Sequence, residues 1–145
     1  MLMSGLLPSD SGNVDNSYTF RDAFQVETQP SFTHKLNPNT QRVVGHVDEL
    51  EAYKQAVYKI LHTERYEHLI YSWNYGVELK ELFGKHIAYV VPELERRIRE
   101  AIMQDDRTVS VDNFQFDTSK FGKVAVTFKA TSIYGETEQN LTVEI

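Results

Sequence analysis

Apolar positions along the chain change their period twice. Phe32, His34 and Leu36 alternate, Asn37-Pro38-Asn39-Thr40 is a strong turn signal, and Arg42-Val43-Val44 follows. This pattern predicts a β-hairpin, with Gly45 closing it. From Asp48 the spacing becomes helical, because Leu50, Tyr53, Val57, Ile60 and Leu61 recur three and four apart. Asp48 and Glu51 hold the positions of an N-cap and its capping-box partner, and this first helix is predicted to end near Thr63. A second, short helix is expected from about Val77 to Phe83, with Leu79, Leu82 and Phe83 inward and Gly84 as its stop. A third is expected to begin at Pro92, a residue favoured in a first helical turn, with Leu94, Ile98, Ala101 and Ile102 on one stripe. Its other face pairs Glu93 with Arg97 and Glu95 with Arg99 at four-residue spacing, about 0.2–0.5 kcal/mol per pair.

After Arg107 the period becomes two. Val109 and Val111, then Val124, Val126 and Phe128, then Leu141, Val143 and Ile145 predict three strands. The connections at Phe121-Gly122-Lys123 and Tyr134-Gly135-Glu136 are short enough for hairpins. The phase slips at Asp112-Asn113, since Val109 and Val111 are odd while Phe114 and Phe116 are even, which predicts a bulge. The fold class is therefore α+β: about three helices packed on an antiparallel β-meander, preceded by a hairpin and an extended arm. Residues 1–17, rich in Ser, Gly, Asn and Asp, are assigned to the arm, and residues 18–145 to a single domain.

Composition narrows the class of function. At 145 residues the chain can bury a core without disulfides or metals, and 41% hydrophobic with 25% charged residues is ordinary for a soluble domain. No apolar run approaches the roughly 18 residues of a spanning helix. Residues 1–7 lack the basic start and apolar length of a secretory signal, so synthesis in the cytoplasm is expected. The absence of cysteine removes thiol nucleophiles and Cys-based zinc sites. A net charge of −6 disfavours nucleic acid and anionic membrane, leaving protein as the expected partner.

Few residues suggest chemistry. His34, His46, His62, His68 and His86 show no metal-ligand spacing; no phosphate-binding glycine loop and no serine elbow occurs, so no cofactor is expected. Glu64, Glu67 and Glu78 near Tyr71, Trp73 and Tyr75 are the one set of acids that a lysozyme-like glycoside hydrolase would place around a sugar. Exposed acids beside core aromatics explain the same residues more simply. Arg96, Arg97 and Arg99 stand beside glutamates on one helix, the pattern of a solvated, ion-paired face. The run Tyr71-Ser72-Trp73-Asn74-Tyr75-Gly76-Val77 is expected to form a packed aromatic corner whose backbone requires Gly76. Asp105-Asp106-Arg107 is a charged connector between helix and strand, in which Arg107 either turns inward to bind carbonyls or a carboxylate, or stays in solvent.

Three segments carry a resemblance: Gly45-His46-Val47-Asp48-Glu49-Leu50-Glu51-Ala52 through Ala56-Val57-Tyr58-Lys59-Ile60-Leu61, Thr63-Glu64-Arg65-Tyr66-Glu67, and Tyr71-Ser72-Trp73-Asn74-Tyr75-Gly76-Val77-Glu78-Leu79. Together they resemble the XkdS-like tail proteins of PBSX-type prophage elements, and through them the baseplate wedge proteins that initiate the sheath of contractile tails. The likeness extends from about Phe32 to the C-terminus. In that wider family an aromatic-glycine turn precedes a short helix, and a Glu-Pro-Arg triplet precedes the meander. Tyr75-Gly76 matches the first; Asp105-Asp106-Arg107 keeps only the arginine of the second. The resemblance implies a non-enzymatic, structural baseplate wedge subunit of a phage tail, tailocin or related injection particle. Multiple copies, assembled into the baseplate, would contact the sheath protein and other wedge and hub proteins. It makes Arg107 a structural anchor beside Tyr75-Gly76, and the packed corner makes Trp73, Tyr75 and Gly76 anchors as well. The strand Leu141 to Ile145, with Leu141, Val143 and Ile145, becomes the expected docking edge for the first sheath ring. The competing readings are a tail-associated cell-wall glycoside hydrolase and a free-standing adaptor domain.

Overall fold

The structure, a computed structural model, describes residues 30–145. The arm expected over residues 1–17 and the first part of the domain expected from residue 18 lie outside the described residues. The elements run β1 (Thr33–Asn37), β2 (Arg42–Val47), α1 (Glu49–Leu61), α2 (Ile87–Ile102), β3 (Thr108–Asp117), β4 (Lys123–Ser132) and β5 (Gly135–Glu144). β1 and β2 form a separate antiparallel hairpin, and β3, β4 and β5 form an antiparallel sheet in that order.

Alternation in β4 puts Val124, Val126, Phe128, Ala130 and Ser132 on one buried face, and Thr137, Leu141 and Val143 continue it on β5. Helix α1 lies against β5 and α2 against β3. The core formed between them joins Tyr53, Val57 and Ile60 of α1 to Val90, Leu94, Ile98 and Ile102 of α2 and to Phe128 at the centre of the sheet. Full burial of such side chains contributes roughly 1.5–3 kcal/mol each and fixes both helices on one face.

The fold class is α+β, with departures from expectation in the helices. The segment from Val77 to Phe83 forms only a three-residue 3-10 turn at Lys80–Leu82, so there are two α-helices among the described residues, not three. Its backbone is already committed: Val77 N–H bonds Thr63 O at 3.0 Å, the Glu64 carboxylate accepts from Leu79 and Lys80 N–H, and Arg97 takes the Glu78 carbonyl at 2.8 Å. No helical ladder can start where those groups are taken. Leu82 is buried, but Phe83, expected inward, is half exposed.

Helix α2 begins five residues before Pro92, at Ile87, capped by His86 Nδ1 accepting from Ala88 N–H. Burial of Val90 holds the turn ahead of the proline in the helix, and Pro92 costs only the bond to Ala88 O. Asp48 caps α1 as predicted, its carboxylate accepting from Glu49 N–H at 2.7 Å, but Ser31 Oγ–H joins it at 2.8 Å while Glu51 pairs with Lys54. Strand β2 does not end at Gly45. It continues to Val47 through a bulge opposite Lys35, where Gly45 takes φ of +80°. The bulge predicted at Asp112-Asn113 is present, with Asn113 at φ +56°, and a second break near Val109 turns that residue out to solvent.

Candidate interaction surfaces

The chain between α1 and α2 leaves the core, forms a loop and returns through a closed neck. A parallel bridge joins Glu64 to Val77, and Arg65 N–H bonds Val77 O at 3.2 Å. Gly76 sits inside this neck at φ +95°, and a Cβ there would stand 2.5 Å from Thr63 O, so only glycine fits. Arg65, nearly buried, fans out to Gly76 O, Glu78 and Glu100, and Arg97, also nearly buried, binds Glu93, Glu81 and the Glu78 carbonyl. These two arginines fasten the neck to α2. The expected solvated face therefore holds for Arg96 and for the Arg99–Glu95 pair but not for Arg97, which is drawn inward because Glu78 and Glu81 arrive from the loop.

Beyond the neck the aromatic segment is less packed than its composition implies. Tyr75 is partly buried against the core and stacks on Tyr71 at 4.6 Å. Trp73 is 77% exposed, so it is not part of a packed corner, and Tyr66, Leu69 and Ile70 of the same loop are exposed too.

Arg107 turns inward. Its Nε donates to Asp105 Oδ1 at 2.8 Å, its Nη2 donates to Oδ2, and its guanidinium lies 5.8 Å from the Tyr53 ring. The partner within the triplet is thus Asp105. Burial works to raise the Asp105 carboxyl, but the hydrogen bonds and positive charge of Arg107 outweigh it and hold the group below the ordinary aspartate value. Thr108 Oγ1 donates to Ile102 O, so the Tyr53 hydroxyl donates to Thr108 Oγ1 at 2.9 Å. Desolvation pushes the Tyr53 hydroxyl up, which keeps it a donor. This junction ties α1, the end of α2 and the start of β3 together, and Arg107 O accepts from Ile133 N–H at the β4–β5 turn.

The two edges of the meander differ. β3 carries both bulges, and Arg99 Nε binds its Val111 carbonyl at 3.2 Å, so that edge is blunted. β5 pairs with β4 through ten consecutive residues without a break. The two-residue turn at Ile133-Tyr134 and the Ile145 N–H to Gly122 O bond set the phase: odd-numbered residues of β5 bond inward to β4. The backbone groups of Glu136, Glu138, Asn140, Thr142 and Glu144 consequently face the open side, with no strand beyond them among the described residues. The Leu141 and Val143 side chains are buried in the core and Ile145 packs against it, so they hold this strand in place and do not themselves face a partner.

The acids considered for glycoside hydrolysis have other roles in the fold. Glu64 accepts two backbone N–H groups, Glu78 binds Arg65, and Glu67 is paired with Lys80, which lowers its carboxyl below the usual range. A general acid needs the opposite shift. One recess among the described residues, about 400 Å³, is an open polar trough on the outer sheet face between Gln115, Lys129 and Glu138. Of the residues that organise these surfaces, Arg65 was not foreseen. Its carboxylate partners lie 13 and 35 residues away, and no local spacing marks them.

Two comparisons with known proteins bear on this geometry. The family model described as "Contractile injection system sheath initiator" matches residues 31–135. The phage-like element PBSX protein XkdS of Bacillus subtilis (strain 168) is 38% identical over 96 residues, covering 63% of this chain and 67% of that protein.

Proposed function

The chain belongs to the contractile injection system sheath initiator family, and on that premise we propose that it is a baseplate wedge subunit on which the first sheath ring docks by strand addition at β5. A structural role in a contractile tail follows from the family itself. The finer reading is carried by one observation: β5 is long, regular and unpaired on its outer side among the described residues, while β3 is bulged and capped. An edge of this kind supplies main-chain donors and acceptors to an incoming strand, and its register is fixed because Leu141 and Val143 are locked in the core. The sheath strand would lie beside Asn140, Thr142 and Glu144. Several copies around the tail axis, joined on their other sides to wedge and hub proteins, would present one such edge to each sheath subunit.

Deleting the gene is expected to leave tails without a seated sheath in electron micrographs; normal contractile tails in that strain would defeat the proposal. Thr142→Pro sharpens the test, since it removes an edge-facing N–H that no described partner uses. The purified variant should unfold at nearly the wild-type denaturant midpoint, while its tails lack seated sheath. Sheathed tails carrying the folded variant would move the docking site away from β5.

A further inference from the structure

Five exposed large apolar side chains fall within the eight residues from Tyr66 to Trp73, in the loop beyond the neck. Leu69 and Ile70 are almost wholly exposed, Trp73 is 77% exposed, and Tyr66 and Tyr71 complete the group. We propose that this tip is a knob that inserts into an uncharged, apolar recess on a neighbouring protein subunit of the tail particle. The proposal rests on the baseplate reading for the identity of its surroundings, and on three observations for its chemistry.

The knob is held out. The Glu64–Val77 bridge, the Gly76 contact with Thr63 and the Arg65 bonds to Glu78 and Glu100 close the neck, and the Tyr71–Tyr75 stack stiffens the tip. Flexible apolar loops hide by collapsing onto their own protein; this one is braced against doing so. A soluble chain keeps such a patch in water only when something covers it in use, and Trp and Tyr are the side chains most often found at the energetic centre of an interface.

Charge then selects the occupant. No Lys, Arg, Asp or Glu occurs from His68 to Val77. The flanking charges are consumed internally, Glu67 by Lys80, Arg65 by two glutamates and Glu64 by backbone N–H groups. Burying a charged surface against this tip would strip it of water and return no partner. An anionic bilayer is disfavoured as well, because the tip offers no lysine or arginine and the chain carries a net charge of −6.

A second copy of the chain is a poor receiver too. Five recesses of about 200–400 Å³ on the described surface each include charged side chains; of the two that adjoin the tip, one is lined by Asp105 and Asp106 and the other by Arg96, Arg97 and Glu100. A different protein with an apolar recess is the occupant that fits.

Hydroxyl-radical footprinting read by mass spectrometry tests this directly, since Trp73 is the sole tryptophan and its peptide identifies the chain. In the isolated full-length protein Trp73, Ile70 and Tyr66 should oxidise readily. In assembled tail particles their oxidation should fall at least about fivefold, as expected for residues at the dry centre of an interface. Unchanged reactivity in particles overturns the knob. So does protection produced by concentrating the isolated protein, which would assign the tip to a second copy. Protection by phosphatidylcholine–phosphatidylglycerol vesicles would assign it to a membrane, and overturns the proposal equally. Ile70→Ser with Trp73→Ser gives the second arm: the purified variant should unfold like wild type, yet its incorporation into particles should drop at least about tenfold, as for loss of hot-spot residues. Normal incorporation overturns the knob while leaving the baseplate role intact, because that role falls only if the gene deletion itself leaves tails unchanged.

Discussion

Strand β4 buries every second residue from Val124 to Ser132, whereas β2 leaves all of Arg42 to His46 exposed, although both belong to antiparallel sheets rich in valine. The meander owes its burial to two helices lying across one face. Among the described residues the hairpin has no such cover: Phe32, Val43 and Val44 meet solvent, and Phe32 and His34 both pack on the His46 ring. Polar contacts at one edge attach it instead. Gln55 of α1 accepts from Leu36 N–H at 2.7 Å and donates to His34 O at 2.8 Å, taking the place of a third strand, and Ser31 bonds Asp48 and Tyr134. The lesson is that alternation alone creates no hydrophobic core; a strand face stabilises the fold only when another layer covers it. Two-stranded hairpins are marginal alone, so this one depends on its edge contacts.

The largest effect that would break this contrast is at the core of the meander. Phe128→Ala should cost about 3–5 kcal/mol in urea unfolding, as for buried Phe→Ala changes elsewhere, while Val44→Ala should stay within about 0.5 kcal/mol. Comparable losses at both sites would mean that the hairpin has a hidden core. Glycines extend the test. Gly76→Ala should lose about 1–3 kcal/mol to backbone strain, and more from the collision with Thr63 O. Gly45→Ala pays only the smaller φ penalty, because nothing lies within 4 Å of its added carbon.

At the junction that starts the meander, Asp105→Asn should destabilise by about 1.5–3 kcal/mol at neutral pH, the range for hydrogen bonds to charged groups. The pH dependence has a definite sign. The folded carboxyl lies below its unfolded value of about 3.9, so its stabilisation is present above that value and is lost as the pH falls through the lower folded one. The wild-type advantage over Asp105→Asn should therefore shrink on acidification, and urea midpoints measured down to pH 3 would show it. The most local expected effect is Gln55→Ala, about 1–3 kcal/mol for two neutral hydrogen bonds but confined to the hairpin. Amide exchange should accelerate at Leu36 and its neighbours in β1 while β4 stays protected. Faster exchange throughout β4 would show that the two sheets unfold together.

Much of the fold was legible because it is written in local spacing. The stripe from Leu50 to Leu61, the period-two runs around Val124 to Phe128 and the phase slip at Asp112 each report a face that one element must bury. The errors share one cause. Val77 to Phe83 has helical spacing, but Glu64, Thr63 and Arg97 claim its backbone from a distance, and Pro92, favoured in a first helical turn, sits instead in the second turn of α2 because the buried Val90 draws the preceding turn into the helix. Arg107 was legible from spacing as part of a charged connector and through resemblance as an anchor, while its partner required the turn that brings Asp105 under it.

The sequence by itself determined the α+β class, the order of the strands and the phase of the core faces, since hydrophobic period is a property of consecutive residues. Only the tertiary structure decided which of those faces are covered, which meander edge lacks a neighbouring strand among the described residues, and that Trp73 stands in solvent on a braced neck. Those outcomes depend on contacts between residues far apart in the chain, and local pattern holds no record of such distances.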